Sequence, residues 1–366
     1  MTQKRIILAG GGTGGHIFPA VAIANALKKM EPEMEILFVG ARGKMEMEKV
    51  PQAGYNIKGL DIAGFNRSSL IKNISLPYKL LKSFFQVRKI VNGFKPDAVI
   101  GVGGYSSFPV LKYAQVKGIP TFIHESNSFA GKSNVLLGKK ATKVFVATEG
   151  MEKFFPAKKI MITGNPVRAS IVNTRVSREE GVKFFGLDPD RKIILATGGS
   201  LGARGINEAI EAQLHAFSSA GVQLIWQTGK PFAERAAAST KGKEGIWTGA
   251  FITEMEKAYA AADVVISRAG AMAIAELCVV KKPVVFVPFP FAAEDHQTVN
   301  AENLARRKAG VMIRDSEAKE KLVQTAIDLA NDGNRQQELK TNIGSLAVTD
   351  ADVRVAKAVL ENIKKT

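Results

Sequence analysis

The chain has 366 residues, of which 46% are hydrophobic and 23% are charged. This composition is that of a soluble globular protein, and the length predicts two domains. No apolar run reaches the roughly 18 residues of a transmembrane helix, the N-terminus lacks a signal peptide's apolar core, and the single cysteine, Cys278, excludes an internal disulfide. These features predict a cytoplasmic protein without a membrane-spanning helix.

The net charge of +17 is unevenly distributed along the chain. Residues 1–165 hold 24 Lys+Arg and 10 Asp+Glu, whereas residues 166–366 hold 27 and 24. A basic N-terminal half indicates an anionic partner, which is a nucleic acid, an acidic membrane surface or a phosphorylated substrate. A solvated lysine-rich surface is the simpler interpretation.

Short apolar runs alternate with helical patterns along the whole chain, which predicts βαβ units, parallel sheets and the α/β class. The pattern opens with "KRIILAGGGTGG" and restarts with "RKIILATGGSLGARG", so we predict two Rossmann-like halves joined near "GNPVRAS". The predicted domains are 1–166 with a C-terminal helix in 347–366, and 167–346. The candidate strands are "RIILAG", "EILFVG", "AVIGVG", "TFIHE", "KVFVAT", "IMITG", "KIILATGG", "VQLIWQTG", "VVISRAG", "VVFVPFP" and "GVMIR".

The stretch "LAGGGTGGHIFPA" contains G-x-G-x-x-G, formed by Gly10, Gly12 and Gly15, directly after the first strand. Such glycines let backbone amides approach a phosphate at a helix N-terminus, and Pro19 is predicted to start that helix. A tight strand-to-helix turn without a ligand is the alternative. The second strand ends without an acidic residue, which disfavours NAD and leaves NADP, through Arg42, as a minor alternative.

Two further glycine clusters, "GVGGYSSFP" and "GGSLGARG", also follow predicted strands. Three phosphate-type turns exceed what one nucleotide needs. They suit a nucleotide-sugar donor together with an acceptor that carries its own phosphates.

The ordered set "GGTGGHIFPA", "GVGGYSSFP", "HESNSFAGKSN", "GNPVR", "GGSLGARGIN", "ADVVISRAGAMAIAE" and "DHQTVNA" resembles the MurG family of bacterial glycosyltransferases over nearly the whole chain. The resemblance implies a GT-B fold, with two Rossmann-like parallel-sheet domains facing across a cleft. It also implies inverting transfer of GlcNAc from UDP-GlcNAc to the muramyl 4-hydroxyl of lipid I, an undecaprenyl-diphosphate-linked muramyl-pentapeptide, to give lipid II for peptidoglycan synthesis and cell division. The chain departs from the family pattern at Leu201, Phe108 and the "HESN" segment.

The resemblance places UDP-GlcNAc mainly on the C-terminal half. Glu276 is expected to bind both ribose hydroxyls, because a carboxylate accepts two hydrogen bonds. Simpler alternatives are a surface ion pair for Arg168, a core position for Ile252 and a solvated helix position for Glu276. The predicted donor-binding residues are Thr13, Gly14, Gly15, Asn127, Arg168, Ser200, Ile252, Ala271, Met272, Ala273, Ile274, Ala275, Glu276 and Gln297.

On the N-terminal half the resemblance places the acceptor's diphosphate at "TGGH". His16 is the first candidate for the general base that deprotonates the acceptor hydroxyl, because imidazole titrates near neutral pH. A capping or orienting histidine is the alternative, and Glu125 is a second candidate base or a partner that orients His16. The predicted acceptor-binding residues are Gly103, Gly104, Tyr105, Ser106 and His124.

Two D-x-D sequences, at 188–190 and 350–352, match the metal-binding motif of other glycosyltransferases. The first lies in a predicted turn and the second at a predicted helix start, so capping is the better explanation. We expect no metal and no other cofactor. Helix N-termini and Arg168 are expected to stabilise the departing UDP.

Residues 68–95 combine apolar and basic side chains in the pattern of an interfacial membrane segment. We predict contact with an anionic membrane surface, hence a peripheral position on the cytoplasmic face of the inner membrane, where other cell-wall synthesis proteins are further candidate partners. A core helix with a basic outer face is the alternative. The predicted membrane-contact residues are Leu70, Ile71, Lys72, Ile74, Lys79, Leu80, Leu81, Lys82, Phe84 and Phe85.

Three rival functions remain at this stage. Another GT-B transferase would act on a different lipid or natural-product acceptor. A UDP-GlcNAc epimerase would not need the basic apolar segment. A nucleic-acid-binding protein would need a recognisable DNA or RNA module, and none is visible.

Overall fold

The computed structural model describes residues 3–64, 76–199, 201–292 and 295–363. Among the predicted site residues, Ser200, Leu70, Ile71, Lys72 and Ile74 lie outside this part of the chain. The chain divides into an N-terminal unit, residues 1–168 with 350–366, and a C-terminal unit, residues 169–349. The sequence suggested divisions at 166 and 346.

The N-terminal unit is built on a parallel sheet of seven strands in the described residues, in the order β3-β2-β1-β4-β5-β6-β7. Its strands are β1 Arg5–Ala9, β2 Glu35–Ala41, β3 Asn56–Leu60, β4 Ala98–Gly101, β5 Thr121–Glu125, β6 Lys143–Val146 and β7 Ile160–Ile162. Its helices are α1 Gly14–Met30, α2 Glu46–Gln52, α3 Leu76–Phe94, α4 Ser107–Val116, α5 Lys132–Gly138 and, from the end of the chain, α16 Ala351–Asn362.

Both faces of this sheet are buried, which explains its nearly continuous apolar strands. Successive side chains of a strand point to opposite faces, so Ile6 and Leu8 pack into one core cluster while Ile7 and Ala9 pack into the other. The predicted C-terminal helix is present as α16 and packs on α1, with Val355 inside the first of these clusters.

The C-terminal unit repeats the plan with a six-stranded parallel sheet, again counted in the described residues, ordered β10-β9-β8-β11-β12-β13. Its strands are β8 Ile193–Thr197, β9 Gln223–Gln227, β10 Ile246–Gly249, β11 Val264–Ser267, β12 Val284–Phe286 and β13 Val311–Met312. Its helices are α6 Ala169–Val172, α7 Arg178–Phe184, α8 Arg204–Ala212, α9 Leu214–Ser219, α10 Ala233–Thr240, α11 Met255–Ala261, α12 Ala271–Val280, α13 His296–Arg306, α14 Ala318–Asn331 and α15 Gly333–Gly344.

The strand order of each sheet reverses once, between β1 and β4 and between β8 and β11. Ligands of doubly wound sheets bind beyond the carboxyl ends of the strands at such a reversal. The first two glycine clusters follow β1 and β4, and the third follows β8. Each unit therefore carries glycine-rich turns where a nucleotide or phosphate site is expected.

Helix α1 begins earlier than the sequence predicted. It starts at Gly14, so Pro19 lies inside the helix and is not its first residue. A proline near a helix start forfeits one main-chain hydrogen bond, here with the carbonyl of Gly15, and the helix continues past it. As a result Gly14, Gly15 and His16 form the first turn of α1 and are not part of a loop.

No helix of the described residues combines the length and the apolar character that crossing a bilayer requires.

Candidate functional site

The first two glycine clusters pack directly against each other in the N-terminal unit. Gly104 has a φ of +83°, and a Cβ atom placed on it would lie 2.4 Å from the carbonyl oxygen of Gly11. A Cβ on Gly103, whose φ is +97°, would lie 2.8 Å from Nε2 and Cδ2 of His16. These two glycines are therefore required by close approach, the first to main chain and the second to the imidazole.

His16 sits in the first turn of α1 with its ring nitrogens in distinct surroundings. Its Nδ1 lies 3.0 Å from the carbonyl oxygen of Gly11. Because a carbonyl only accepts, the neutral ring carries its proton on Nδ1 and leaves the lone pair on Nε2. Burial lowers the pKa of His16, while the Gly11 bond and the charges of Glu125 and Glu46 oppose that shift. An imidazole held this way is unprotonated at neutral pH and can accept a proton at Nε2.

Glu125 ends β5 and is buried, with both carboxylate oxygens engaged. Oε1 accepts from the main-chain and side-chain nitrogens of Asn127, at 3.1 and 3.2 Å. Oε2 accepts from the amide of Gly131 at 3.1 Å and from Nδ2 of Asn134 at 2.8 Å. Four donors fill the acceptor positions that a carboxylate offers. The arrangement suits a residue that shapes the loop over 126–134 and positions Asn127.

His124 is fully buried, so it does not present a surface to an acceptor. Its Nε2 lies 3.4 Å from the carbonyl oxygen of Gly164, and its Nδ1 lies 3.4 Å from Oγ of Ser126. Burial lowers the pKa of His124 to about 4. These contacts give the imidazole a supporting place in the central strand β5, and its predicted contact with the acceptor stays a prediction.

Tyr105 and Ser106, the other predicted acceptor residues, differ in exposure. Tyr105 is half-buried, and a Cβ on Gly64 would lie 2.9 Å from its ring. Burial, reinforced by the charge of Glu46, raises the pKa of the Tyr105 hydroxyl. Ser106 is buried directly before α4, so its side chain is not at the surface of the second glycine cluster.

Arg168, at the end of the N-terminal unit, stacks its guanidinium over the ring of Phe18 at 4.5 Å from the ring centroid. Phe18 belongs to α1, two residues beyond His16. The stacking fixes a permanent positive charge beside the start of α1. This position is compatible with the predicted role near phosphates.

The third glycine cluster, in the C-terminal unit, is tied to the ends of β8 and β9. Thr197 donates from Oγ1 to Oε1 of Gln227 at 2.5 Å, and Nε2 of Gln227 donates to the carbonyl of Gly199 at 2.9 Å. The amide of Gly199 completes the arrangement by donating to Oγ1 of Thr197 at 3.3 Å. The turn that carries the predicted diphosphate site is thus fixed by two side chains of the sheet.

Helix α12 follows β11, which is paired in the sheet with β8, the strand that precedes the third glycine cluster. Its first five residues, Ala271–Ala275, are half-buried, and no acidic residue lies in its first turn. A helix N-terminus of this kind favours an anion, through its dipole and its first amides. Glu276 follows on the same helix, is buried, and accepts from the hydroxyl of Tyr259 at 3.1 Å. The alternative of a solvated helix glutamate is therefore wrong.

Two further predicted donor residues lie at loop ends of the C-terminal unit. The side chain of Ile252 is buried, as the alternative of a core position requires. The predicted contact with uracil uses the backbone groups of Ile252, so it does not depend on the side chain. Oε1 of Gln297 accepts from the amide of Phe289 at 3.0 Å, which ties α13 to the segment after β12.

Comparison with known proteins agrees with this geometry. The family models for the glycosyltransferase family 28 N-terminal and C-terminal domains match residues 6–146 and 193–355. A Phocaeicola vulgatus protein named UDP-N-acetylglucosamine–N-acetylmuramyl-(pentapeptide) pyrophosphoryl-undecaprenol N-acetylglucosamine transferase is 52% identical over 98% of this chain and 96% of its own. The chain belongs to the MurG family of glycosyltransferases.

Solved structures support the MurG-family fold. The crystal structure of Acinetobacter baumannii MurG superposes with a TM-score of 0.74 at 29% identity, covering 98% of this chain and 99% of that one. A UDP-GlcNAc 2-epimerase from Neisseria meningitidis shares the fold at 12% identity, with a TM-score of 0.69 over 98% of this chain and 100% of its own. The predicted α/β GT-B class, with two Rossmann-like parallel-sheet domains, is confirmed.

The departures from the MurG-family pattern are accommodated locally. Leu201 is 70% exposed, so the departure at this position disturbs no core. Phe108 packs against one core cluster of the N-terminal unit. Ser126 is buried, with its carbonyl accepting from Nδ2 of Asn165 at 3.1 Å.

Arg268, which the sequence analysis did not single out, also holds segments next to the candidate site together. Arg268, directly after β11, donates to the carbonyls of Val287 and Pro288, both at 3.0 Å, and to Asp315 at 2.5 Å. It thereby fixes the segment that contacts Gln297. The sequence does contain a sign of this role. Arg268 stands in "ISRAGA", at the end of a buried strand, where a charged residue needs hydrogen-bonding partners.

The first D-x-D sequence forms a turn as predicted, whereas Asp350 of the second stands at the N-cap position of α16 without making the predicted side-chain capping hydrogen bond. Oδ1 of Asp188 accepts from the amide of Asp190 at 2.9 Å, which is an Asx turn. Asp350 immediately precedes α16 and pairs with Arg354 at 2.9 Å.

Proposed function

We propose that this chain transfers N-acetylglucosamine from UDP-N-acetylglucosamine to the 4-hydroxyl of the muramyl residue of lipid I, forming lipid II with inversion at the anomeric carbon. The observation that carries the proposal is the 52% identity, over nearly the full length of both chains, to a relative that bears this transferase name. The geometry of His16 and the α12 N-terminus supports it.

In the proposed reaction the C-terminal unit binds the donor. The N-terminus of α12 faces the diphosphate, Glu276 accepts from the ribose hydroxyls, and Gln297 contacts the sugar. Tyr259 orients the carboxylate of Glu276 through its hydroxyl, which donates to Oε2. The main-chain amides at the start of α12 are preorganised donors, and they stabilise the charge that develops on the departing UDP.

The N-terminal unit binds the acceptor and supplies the base. As the acceptor hydroxyl oxygen bonds to the anomeric carbon, its proton passes to Nε2 of His16, and the bond from that carbon to the phosphate oxygen breaks. UDP leaves with the electron pair, and an α-linked donor gives a β-linked product. We assign the base to His16 and not to Glu125, because proton transfer to Glu125 would require the loss of hydrogen bonds that shape its loop.

An epimerase is the rival that shares the fold and the nucleotide sugar. The test incubates the protein with radiolabelled UDP-GlcNAc and a short-chain lipid I analogue and then identifies the labelled products. We expect label in a lipid-linked disaccharide that forms only when the analogue is present. Label in UDP-ManNAc or in free sugar would overturn the proposal.

The acceptor is anchored in a membrane, and α3 offers a surface for binding the bilayer. The helix turns Ser83, Val87 and Val91 into the unit. Tyr78, Leu81 and Phe85, spaced three and four residues apart, form an exposed apolar stripe with exposures of 69%, 59% and 64%. Large apolar side chains exposed at helical spacing are characteristic of an interfacial helix.

The sequence segment that begins with this helix is strongly basic. Residues 76–148 contain eleven Lys and Arg but only two acidic residues, Asp97 and Glu125. Asp97 accepts from the amide of Arg5, and Glu125 is buried. We propose that α3 rests on anionic lipid at the cytoplasmic face of the inner membrane.

The predicted membrane-contact residues of α3 are not equivalent. Leu80 is 38% exposed, and Phe84 and Lys79 are half-buried. Lys82 pairs with Asp61 at 3.0 Å, so part of its charge is compensated inside the protein. Leu81 and Phe85 are therefore the strongest apolar candidates of the predicted set.

Replacing Arg88 and Lys89 by glutamine is expected to weaken binding to anionic vesicles by about 2 kcal/mol, or about 30-fold, because each basic group near such a surface contributes about 1 kcal/mol. Vesicle sedimentation at fixed ionic strength measures the change. Arg306→Gln with Arg307→Gln removes the same charge from an exposed position of the C-terminal unit and serves as the control. Undiminished binding by the α3 variant, or an equal loss in the control, would exclude this surface.

A further inference from the structure

We propose that Glu46 is a positioning residue that holds the catalytic histidine in its working orientation, acting through the main chain of Gly11 and Gly12. The inference rests on the proposed role of His16 as the base. It concerns a carboxylate that the sequence motifs did not single out.

Glu46 is the first residue of α2, and only 1% of it is exposed. Its carboxylate spans two segments of the N-terminal unit. Oε2 accepts from the amide of Gly12 at 2.8 Å, and Oε1 accepts from the amide of Ala41, the last residue of β2, at 2.9 Å. A buried carboxylate is costly unless it is hydrogen-bonded. The Glu46 carboxylate therefore fixes the first glycine cluster. The Gly12 amide that it binds is one of those that the sequence analysis expected to approach a phosphate.

Two glycines make room for this carboxylate. A Cβ on Gly11 would lie 2.3 Å from Cδ and Oε1 of Glu46, and a Cβ on Gly40 would lie 2.5 Å from its Cγ. Real Cβ atoms do not approach other atoms so closely. Gly11 and Gly40 are therefore glycines because the Glu46 side chain occupies the space that their own side chains would fill.

The same segment holds the imidazole. The carbonyl of Gly11 accepts from Nδ1 of His16 at 3.0 Å, and the amide of the next residue is the one bound by Glu46. If the Gly11 carbonyl were displaced, the His16 ring would lose the hydrogen bond that holds it. The ring would then no longer prefer to carry its proton on Nδ1. Glu46, the glycine pair and His16 form one hydrogen-bonded series that leaves Nε2 as the acceptor.

Charges also connect the two side chains. The charges that act on His16 are those of Glu46 and Glu125, which raise its pKa, and its own charge lowers the pKa of the buried His124. Burial and, to a lesser extent, the charge of Glu46 raise the pKa of the Tyr105 phenol. Removal of the Glu46 charge is therefore expected to move the acid limb of the rate profile, set by His16, to lower pH.

The experiment compares Glu46→Gln, His16→Ala and the double variant in the full-length protein, using the labelled-donor assay across pH. We expect Glu46→Gln to lower kcat by about 10- to 100-fold, the effect of a small misplacement of a reacting group. The KM for UDP-GlcNAc should change little, and the acid limb should shift to lower pH. The double variant should be no slower than His16→Ala, because Glu46 acts through His16.

Two additional variants complete the design. Glu48→Gln removes an exposed carboxylate from the same helix and should behave as the wild type. Glu46→Asp keeps the charge but is too short to reach both amides, so it should lower kcat while moving the acid limb less than Glu46→Gln does, and it decides the matter if Glu46→Gln does not fold. Multiplied losses in the double variant, or an unchanged kcat in both Glu46 variants, would overturn the inference. A wild-type protein that forms no lipid-linked product would instead overturn the proposed function.

Discussion

His16→Ala is expected to lower the turnover number by about 10²- to 10⁴-fold, the usual contribution of a positioned general base. The variant removes Nε2, the proton acceptor for the acceptor hydroxyl in the proposed reaction, and leaves the C-terminal unit untouched. The KM for UDP-GlcNAc should therefore change little. Initial rates with saturating donor and acceptor measure the loss.

The pH dependence gives this prediction a second readout. Burial is the largest cause of the shift in His16, and it lowers the pKa below the ordinary value of 6.5. The imidazole is therefore unprotonated at neutral pH, and activity should fall only as the pH drops through this lowered pKa. In His16→Ala the corresponding acid limb should be absent.

His215→Ala is the matched control, because His215 is an exposed histidine of the C-terminal unit. It should retain the wild-type rate and the wild-type acid limb. Near-normal turnover by His16→Ala would remove this residue from the base role and leave Glu125 as the candidate. A wild-type acid limb in that variant would assign the limb to another group.

The central strands were predictable because their residues are buried on both faces and therefore uniformly apolar. Each of the eleven candidate strands corresponds to a strand of the structure. Within the part of the chain that the structure describes, two strands were missed, β3 and β10, and both lie at sheet edges. In β3, exposed and partly buried residues alternate, so "NIKGL" lacks the apolar run that identified the others.

The site was predictable in its location and less so in its internal contacts. Strand ends and glycine clusters identified the sheet edge that carries His16 and Glu125, because parallel strands place their carboxyl ends together. A sequence does not reveal from which donors the oxygens of a buried carboxylate accept hydrogen bonds. Glu125 is engaged by a loop up to nine residues away, and Glu46 reaches the glycine cluster across 34 positions. Such pairings arise from tertiary packing, which local patterns do not encode.

Glu276→Ala is expected to raise the KM for UDP-GlcNAc by about 10- to 150-fold, since a hydrogen bond to a charged group is worth about 1.5–3 kcal/mol. In the proposed complex the ribose hydroxyls donate to this carboxylate, which Tyr259 orients. The interaction is made equally in the ground state and the transition state, so kcat at saturating donor should change little. Glu276→Gln, which keeps one acceptor oxygen, should have an intermediate effect.

Nucleotide discrimination separates a ribose contact from a structural role for Glu276. Calorimetry with UDP and 2′-deoxy-UDP should show a clear preference for UDP in the wild type and little preference in Glu276→Ala, because the variant lacks the acceptor that distinguishes them. Glu302→Ala, an exposed carboxylate of α13 in the same unit, should keep the wild-type preference. If Glu276→Ala weakened both nucleotides equally, the carboxylate would serve the fold through Tyr259 and the ribose would have another partner. Loss of the preference in Glu276→Ala alone would place the ribose at the buried carboxylate, one and a half turns from the helix end proposed for the diphosphate.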